Sequence, residues 1–410
     1  MRTLKIFLLV FILSISVSAQ NFWIALTPIS DGYIETMLID EIGIIYIGTY
    51  FGDFYISFDH GQSWTNPNIN CSIFTEEVTS HPNSDIYVAD HGCIHRSTDN
   101  GLNWELFKTT FQCRTIFINE LEYIFSGEEM DWNVGRLWRS TNNGLSWEYY
   151  ELPYFAVVYS IDSDSIGNLY AGTTHGTFIS TNNGDSWSNN HLTSNFIPSI
   201  IITKNNTALA GTWGEGIYRS TNLGSSWEQT SLTILQIKDF ISDQNGFIWA
   251  ATDSGIFKSI DDGVNWLLVD NSGLTNYNIN AIAIDPEGFI VVGADSGKVF
   301  RTVESTTDVK QESFLYKFSL SQNYPNPFNP VTKIKYIIPA SPKSSPMERT
   351  FVQLLVYDLL GREVTVLVNE EKQPGVYETV FDGSNLSSGV YLYRLTAGEF
   401  SETKKLVLLK

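Results

Sequence analysis

Ser57-Phe58-Asp59-His60-Gly61-Gln62-Ser63-Trp64 decides the fold, because this stretch recurs along the chain. Each copy reads Ser-x-Asp/Asn-x-Gly-x-Ser/Asn-Trp, and successive copies begin about 40 residues apart. The five further copies are Ser97–Trp104, Ser140–Trp147, Ser180–Trp187, Ser220–Trp227 and Ser259–Trp266. A fixed period of this length predicts a propeller or solenoid made of repeated supersecondary units.

Each position of the repeat suits a tight turn. The glycine permits a positive φ, and the acid or amide two residues earlier can accept backbone N–H groups inside the turn. The tryptophan three residues after the glycine begins the next strand and offers a large face for burial. We therefore interpret the following positions as structural: Asp59, Gly61, Trp64, Asp99, Gly101, Trp104, Asn142, Gly144, Trp147, Asn182, Gly184, Trp187, Asn222, Gly224, Trp227, Asp261, Gly263 and Trp266.

The segments between these repeats alternate apolar and polar residues and contain glycine turns, as residues 161–180 show. This pattern predicts four short strands per unit, which is a propeller blade. Residues 20–304 hold seven units, but the last one, 277–303, has three strands and no repeat motif. Residues 21–26 place Trp23 where a repeat tryptophan would stand. We therefore predict that they supply the missing strand and close the ring.

The repeats resemble the Asp-box, also called the BNR or sialidase-type repeat. The resemblance covers about residues 20–303 and implies that each box is the hairpin between the third and fourth strands of a blade. Propellers similar to photosystem II assembly factors, which bind partners, carry this repeat, as do those of the xyloglucanase and sialidase superfamily. The box therefore indicates the fold and leaves the activity open.

The two ends of the chain predict export. Residues 1–19 have Arg2 and Lys5, an apolar run and a small-residue cleavage site, which is typical of a signal peptide. An uncleaved anchor is the alternative. We expect no transmembrane span in the mature chain, because no later stretch is apolar over the length that a spanning helix requires.

The C-terminal region changes composition after a polar linker at 305–313. Short alternating strands over residues 314–410 predict an immunoglobulin-like β-sandwich. Residues 323–330, 356–363, 388–395 and 404–410 resemble the C-terminal sorting domain of the type IX secretion system, with a longer loop at 340–350. The resemblance implies that the translocon recognises residues 314–410. The protein would then be exported through both membranes of a Gram-negative bacterium and secreted or held at the cell surface.

The charge is unevenly distributed. The net charge is −20, and residues 311–410 hold 11 Lys and Arg against 10 Asp and Glu. The remaining 14 basic and 35 acidic residues therefore lie in residues 1–310. Such an acidic domain argues against nucleic acid as a partner, because phosphate binding requires a basic face.

The cysteines and acids give no sign of a metal or another cofactor. Cys71, Cys93 and Cys113 suit one disulfide with Cys93 as a partner, or else three free thiols. Asp162, Asp164 and Gly167 are spaced as in a calcium loop. Ile166 occupies a ligand position, however, which favours a plain hairpin turn.

The loops after the second strand of each blade are predicted to gather around the channel on one face. They combine acids with aromatic side chains, which suits a sugar chain, a peptide or a cationic group. The alternative is that these are ordinary solvated loop residues. The candidate ligand-binding residues are Tyr50, Phe51, Asp53, Asp90, His91, Glu128, Asp131, Trp132, His175, Trp213, Glu215, Asp253 and Asp295.

The arginines argue against a sialidase, which requires three of them on the substrate carboxylate. Four arginines precede a box serine or its equivalent and are interpreted as structural: Arg96, Arg139, Arg219 and Arg301. Only Arg114 and Arg136 then remain in the propeller region. A two-carboxylate glycosidase using Asp131, Glu215 or Asp253 remains an alternative. We assign no catalytic residue and predict an exported module that binds a glycan, peptide or protein. The alternative is a glycan-active enzyme of the xyloglucanase type.

Overall fold

The computed structural model describes most of the chain. The described residues are 21–29, 32–69, 74–81, 83–130, 134–189, 192, 196–306, 318–323, 325–338, 350–372, 375–398 and 400–410. The predicted signal peptide, most of the linker, Cys71, Asp131 and Trp132 lie outside these residues.

Seven antiparallel sheets form the blades, and an N-terminal strand, β1 (Trp23–Ala25), belongs to the last of them. Blades one to four are β2 (Ile34–Ile39), β3 (Ile45–Thr49), β4 (Phe54–Ser57); β5 (Thr75–Ser80), β6 (Ile86–Asp90), β7 (Cys93–Ser97), β8 (Glu105–Thr109); β9 (Cys113–Ile118), β10 (Ile124–Met130), β11 (Val134–Ser140), β12 (Glu148–Tyr150); and β13 (Val158–Ser163), β14 (Leu169–Thr173), β15 (Gly176–Ser180), β16 (Ser188–Asn189).

Blades five to seven follow the same order from the inner to the outer strand. They are β17 (Ser199–Ile202), β18 (Ala208–Gly211), β19 (Ile217–Ser220), β20 (Glu228–Gln229); β21 (Ile237–Ser242), β22 (Ile248–Thr252), β23 (Gly255–Ser259), β24 (Leu267–Leu268); and β25 (Ile279–Ile284), β26 (Ile290–Ala294), β27 (Lys298–Thr302). Two short 3₁₀ turns, Pro153–Phe155 and Asp295–Gly297, lie in loops.

The inner strands form a closed ring. Each inner strand contacts those of the two neighbouring blades, and β2 contacts both β5 and β25. The apolar core lies between blades; for example, Ile45 and Ile47 of blade one pack with Ala281 and Val291 of blade seven. This is a seven-bladed β-propeller, and the predicted fold is confirmed.

Strand β1 completes the last blade. Trp23 pairs with Thr302, and Ala25 pairs with Phe300, both in antiparallel register. The sheet order β1-β27-β26-β25 makes the N-terminal strand the outermost one. The predicted closure of the ring is confirmed, and it removes the free edge that β27 would otherwise expose.

Blade one departs from the prediction of four strands per unit. Its sheet contains β2, β3 and β4, and the expected outer strand is reduced to one bridge between Ile56 and Thr65. Pro67 follows two residues later and has no N–H to donate, so the ladder cannot extend.

The boxes lie between the third and fourth strands. In the first one, the Ser57 hydroxyl donates to Asp59 Oδ1 at 2.8 Å and accepts from Gly61 N at 2.7 Å. Asp59 Oδ1 also accepts from Ser63 N at 2.8 Å. Gly61 has φ +82°, a conformation that glycine adopts without strain. The other five boxes repeat these contacts. Most box tryptophans are half-buried, whereas Trp266 is fully buried.

The C-terminal region forms two antiparallel sheets around one core, which is the predicted β-sandwich. Buried residues from both sheets, such as Tyr336 and Tyr393, share this core. The sheet orders are β28-β29-β32 and β31-β30-β33-β34. These strands are β28 (Ser319–Leu320), β29 (Val331–Ile338), β30 (Thr350–Tyr357), β31 (Glu363–Lys372), β32 (Gly375–Asp382), β33 (Gly389–Ala397) and β34 (Phe400–Leu408).

Two further predictions concern the cysteines and the turn that resembles a calcium loop. Cys93 is disulfide-bonded, as expected, and Cys113 is free and buried. The Asp164 carboxylate accepts from the backbone N of Ile166 at 3.1 Å and of Asn168 at 2.9 Å, so it holds a hairpin turn. None of the described residues forms a helix with the length and apolarity to cross a membrane.

Candidate functional site

A ring of polar side chains lies at one end of the propeller channel. At this end the inner strand of each blade starts and the second strand of each blade ends. We call this end the channel mouth. In six blades the inner strand has a register shift here, which leaves one extra residue between two ladder pairs. Bulges of this kind redirect a side chain away from the regular alternation. The bulged residues, which we call the channel ring, are Glu35, Glu76, Arg114, Tyr159, Lys238 and Asn280.

Arg114 organises one side of the ring. Its Nη1 lies 2.5 Å from Glu76 Oε1, and its Nε and Nη2 donate to Glu129 Oε2 at 2.9 and 2.6 Å. Its guanidinium carbon lies 5.5 Å from the centre of the Tyr159 ring. His91 Nε2 lies 2.5 Å from the same Glu76 oxygen. Arg114 is therefore held by two carboxylates and an aromatic face.

Lys238 organises the opposite side through amides. Its Nζ donates to Oδ1 of Asn278 at 2.7 Å and of Asn280 at 2.6 Å. The two amide groups donate in turn to the Asp295 carboxylate, at 2.6 and 2.9 Å. Burial lowers the pKa of Lys238, although the charge of Asp295 acts in the opposite direction. The lysine and the aspartate are thus linked through neutral groups.

Glu35 lies between these two networks. Burial inside the channel raises the pKa of its carboxyl to about 7, and the charge of Glu76 acts in the same direction. Lys238 and Arg114 lower it. The side chain is surrounded by protein yet exposes part of its surface to solvent through the mouth. Glu35 makes no hydrogen bond or ion pair with another described residue.

Aromatic side chains border the ring on blades one and two. We call Tyr33, Tyr50, Phe51 and Phe74 the aromatic patch. Ring centres lie 6.5 Å apart for Tyr33 and Tyr50, 5.5 Å for Tyr50 and Phe51, and 4.7 Å for Tyr50 and Phe74. Tyr33, Tyr50 and Phe51 expose 48%, 46% and 58% of their surface. The His91 ring lies 4.7 Å from Phe74 and connects the patch to the ring.

A second aromatic row lies on blades four and five. The Tyr159 ring centre is 4.7 Å from that of Phe196, which is 5.7 Å from that of Trp213. Trp213 is 52% exposed. The His175 ring stacks on Tyr154 with centres 6.2 Å apart. Exposed aromatics therefore stand on two sides of the mouth.

Several residues predicted from the sequence belong to these networks. Tyr50 and Phe51 lie in the aromatic patch, and Trp213 ends the second row. His91 binds Glu76 of the ring, and Asp295 accepts from the amide of Asn280.

Other predicted residues make local contacts. Asp53 accepts from Asn66, Glu215 from Tyr218, and Asp253 from Ser254. Asp131 and Trp132 lie outside the described residues.

Two predicted acids are buried. Glu128 is 3% exposed and pairs with Lys108. Asp90 is 2% exposed, and its Oδ1 has no hydrogen-bond partner among the described residues. Burial raises the pKa of Asp90 to about 7. We do not include either of them in the proposed site, because neither offers an exposed surface to a ligand.

The sequence prediction considered the second-strand loops and missed the inner-strand bulges. The residues absent from its candidate list are Glu35, Glu76, Arg114, Glu129, Tyr159, Lys238, Asn278 and Asn280, together with Tyr33 and Phe74 of the aromatic patch. A signal for four ring members exists in the sequence, because each is a charged residue at the second position of its inner strand: Glu35, Glu76, Arg114 and Lys238. A charge at the start of a mostly apolar strand has no structural reason to recur, so it indicates a shared surface.

The arginines do not form the cluster that a sialidase requires. Among the described residues, Arg96 pairs with Asp85, Arg219 with Asp262, and Arg301 with Asp285. These pairs support the boxes and the adjoining turns, as do those of Arg139 with Glu148 and Asp185. Arg136 lies 3.6 Å from Glu151 of blade three. Of these six arginines, Arg114 alone takes part in the ring network.

Asp90, Cys93 and His95 bring potential metal-ligating atoms within 4.8 Å of one another. The sulfur of Cys93 is in a disulfide, whereas a metal requires the thiolate. Only two ligands then remain, which is too few for a structural metal site.

Two family models match the chain. Residues 322–409 match the secretion system C-terminal sorting domain, and residues 55–66 match the BNR/Asp-box repeat. No curated protein matches the chain significantly in sequence.

Solved structures share the fold. One is described as YCF48 bound to D1 peptide; it is 17% identical over 71% of this chain and 100% of its own, with a TM-score of 0.56. PorZ of Porphyromonas gingivalis, described as an essential surface component of the type-IX secretion system, is 15% identical over 94% of this chain and 60% of its own, with a TM-score of 0.53.

A virginiamycin B lyase from Staphylococcus aureus is also similar, at 15% identity over 69% of this chain and 99% of its own, with a TM-score of 0.56. At these identities the likeness shows the fold alone. The chain therefore combines a seven-bladed propeller that carries an Asp-box repeat with a C-terminal domain that matches the secretion system sorting domain.

Proposed function

We propose that the protein is an exported binding module that holds a peptide, protein or glycan at the channel mouth. One observation carries the proposal: exposed aromatic side chains stand on two sides of a ring of charged groups. Monomeric proteins rarely leave several large aromatics together in water unless the surface has a binding role. Aromatic faces beside hydrogen-bonding charges suit such ligands.

The C-terminal domain acts in this proposal as an address. Residues 314–410 are recognised by the outer-membrane translocon, and residues 1–19 direct the chain across the inner membrane. The match to the sorting-domain model supports this role. The propeller, residues 20–304, is then delivered to the cell surface or the medium.

A glycan-active enzyme is the second candidate. Glu35 favours it, because a carboxyl with a pKa of about 7 can donate a proton near neutral pH, as a general acid must. A glycosidase also requires a second carboxylate across the scissile bond. Glu76 and Glu129 are bound to Arg114, however, so they are poorly placed to act as a free base or nucleophile.

The full protein should be tested against peptide and glycan arrays, with hydrolysis measured on every glycan that binds. Tyr50→Ala is expected to weaken binding roughly tenfold, since one aromatic contact contributes about 1–2 kcal/mol. Phe58→Ala is the matched control, because Phe58 is 49% exposed and lies beyond the other end of β4. Equal loss of binding in both variants would place the ligand elsewhere.

The hydrolysis assay tests the second candidate. Hydrolysis that Glu35→Gln abolishes would establish the enzyme instead.

A further inference from the structure

We propose that the ligand at the channel mouth is a basic peptide segment, whose lysine or arginine side chain packs on the aromatic patch and pairs with Glu35. This inference rests on the proposed function and names the ligand of that same site.

One negative charge at the mouth is left without a direct partner. Arg114 is bound by Glu76 and Glu129, so its charge is satisfied within the protein. Lys238 donates to two asparagine amides, and these amides donate in turn to the Asp295 carboxylate. Glu35 alone among these acids has no direct partner among the described residues. A carboxylate in this position attracts a cation, because an opposite charge offsets the desolvation that the surrounding protein imposes on it.

The aromatic patch includes a near neighbour of Glu35 in the chain. Tyr33 lies two residues before Glu35 on the same segment, and both are exposed at the mouth. Phe74 contacts His91, and His91 binds Glu76. Aromatic faces next to a carboxylate form a site for an organic cation, since the ring quadrupole and the negative charge act together.

The propeller lies in the acidic part of the chain, since residues 1–310 hold 35 acids and 14 basic residues. A basic segment is drawn to such a surface at long range and then held by Glu35 at short range. A neutral glycan would stack on the same rings, but it would offer Glu35 only hydroxyl groups and no opposite charge. The charges therefore favour the basic peptide.

Binding of this kind depends on pH. The groups that face Glu35 are Glu76, Arg114, Lys238 and Asp295, with His91 attached to Glu76. A proton on Glu35 competes with the ligand cation, and the pKa of Glu35 is about 7 in the free protein. Affinity should therefore rise from about pH 6 to about pH 8 as Glu35 becomes charged. Glu35→Gln removes the titrating group and should flatten this part of the profile.

The test uses the full chain and labelled oligo-arginine and oligo-glutamate peptides. Oligo-arginine should bind, oligo-glutamate should not, and Glu35→Gln should weaken oligo-arginine about tenfold. Glu228→Gln is the matched control, because Glu228 is exposed on the outer strand β20. The melting temperature of Glu35→Gln should stay at or above the parent's, since the variant removes a carboxyl whose charged form is disfavoured by desolvation.

The outcomes separate the two proposals. If Glu35→Gln and Glu228→Gln weaken oligo-arginine equally, the attraction is general and the inference is wrong. If oligo-arginine fails while a neutral peptide or glycan binds in a Tyr50-dependent manner, the basic ligand is wrong and the channel-mouth site stands. If no ligand depends on Tyr50, both proposals fall.

Discussion

The side chain of Asn182 makes three hydrogen bonds inside its turn. Its Oδ1 accepts from the Ser180 hydroxyl at 2.9 Å and from Ser186 N at 3.0 Å, and its Nδ2 donates to the Ser186 hydroxyl at 3.0 Å. Asn182→Ala should lower the free energy of unfolding by about 1 kcal/mol, the usual cost of losing a side chain that caps backbone donors. Urea denaturation measures this. Thr181→Ala in the same box is the control, and an equal loss there would contradict the role given to Asn182.

Residue types at the site were only partly predictable. The aromatic patch includes Tyr50 and Phe51, which sequence periodicity placed in a loop after a second strand. Glu128 and Glu129 are neighbours on β10, and the sequence prediction chose Glu128. Successive side chains on a strand point to opposite faces, so Glu128 meets Lys108 while Glu129 meets Arg114. A single sequence does not reveal which face of the strand lines the channel.

At the scale of elements, β1 is the strand with the most unusual task. Trp23 is 1% exposed, and its Nε1 donates to the carbonyl of Asp270 at 2.8 Å. Its backbone N donates to the carbonyl of Ser272 at 2.9 Å, and the backbone N of Phe22 donates to the Ser272 hydroxyl at the same distance. The first residues of the described chain are therefore fixed to the last two blades, and the ring closes without a covalent bond.

Trp23→Ala should therefore destabilise the propeller by about 3–5 kcal/mol, because it empties a buried aromatic site. Ile24→Ala is the control on the same strand, since Ile24 is 45% exposed and should cost little. Thermal melting distinguishes them. Deletion of residues 20–29 should go further and expose the edge of β27, which promotes aggregation. A deletion variant that melts like the parent would contradict this closure.

The elements themselves were predictable because their signals are local. Alternating residues, glycine turns and the repeat period are enough to predict strands, hairpins and blade number. The bulges at the mouth were not predictable, because a register shift depends on how two strands pair rather than on either one. The missing outer strand of blade one is explained by Pro67. The repeat pattern predicted four strands there and took no account of this proline.

At the scale of the whole molecule, the excess of acidic residues and the proposed binding surface lie in the same domain. The sandwich carries balanced charge, and the propeller region carries the excess of acids. Such a division suits a chain in which one domain directs export and the other meets a ligand. The composition of the sequence already indicates this division, whereas the position of the ligand site depends on the closed ring.

Amide hydrogen exchange of the full chain, with and without saturating oligo-arginine, tests the central claim most directly. The account predicts that added protection concentrates at residues 33–36, 50–52, 74–77 and 91, where the aromatic patch and Glu35 meet. Exchange in the outer strands β12, β16 and β20 and in residues 350–410 should stay unchanged. Protection confined to those outer strands or to the sandwich, or none at the channel mouth, would contradict the account.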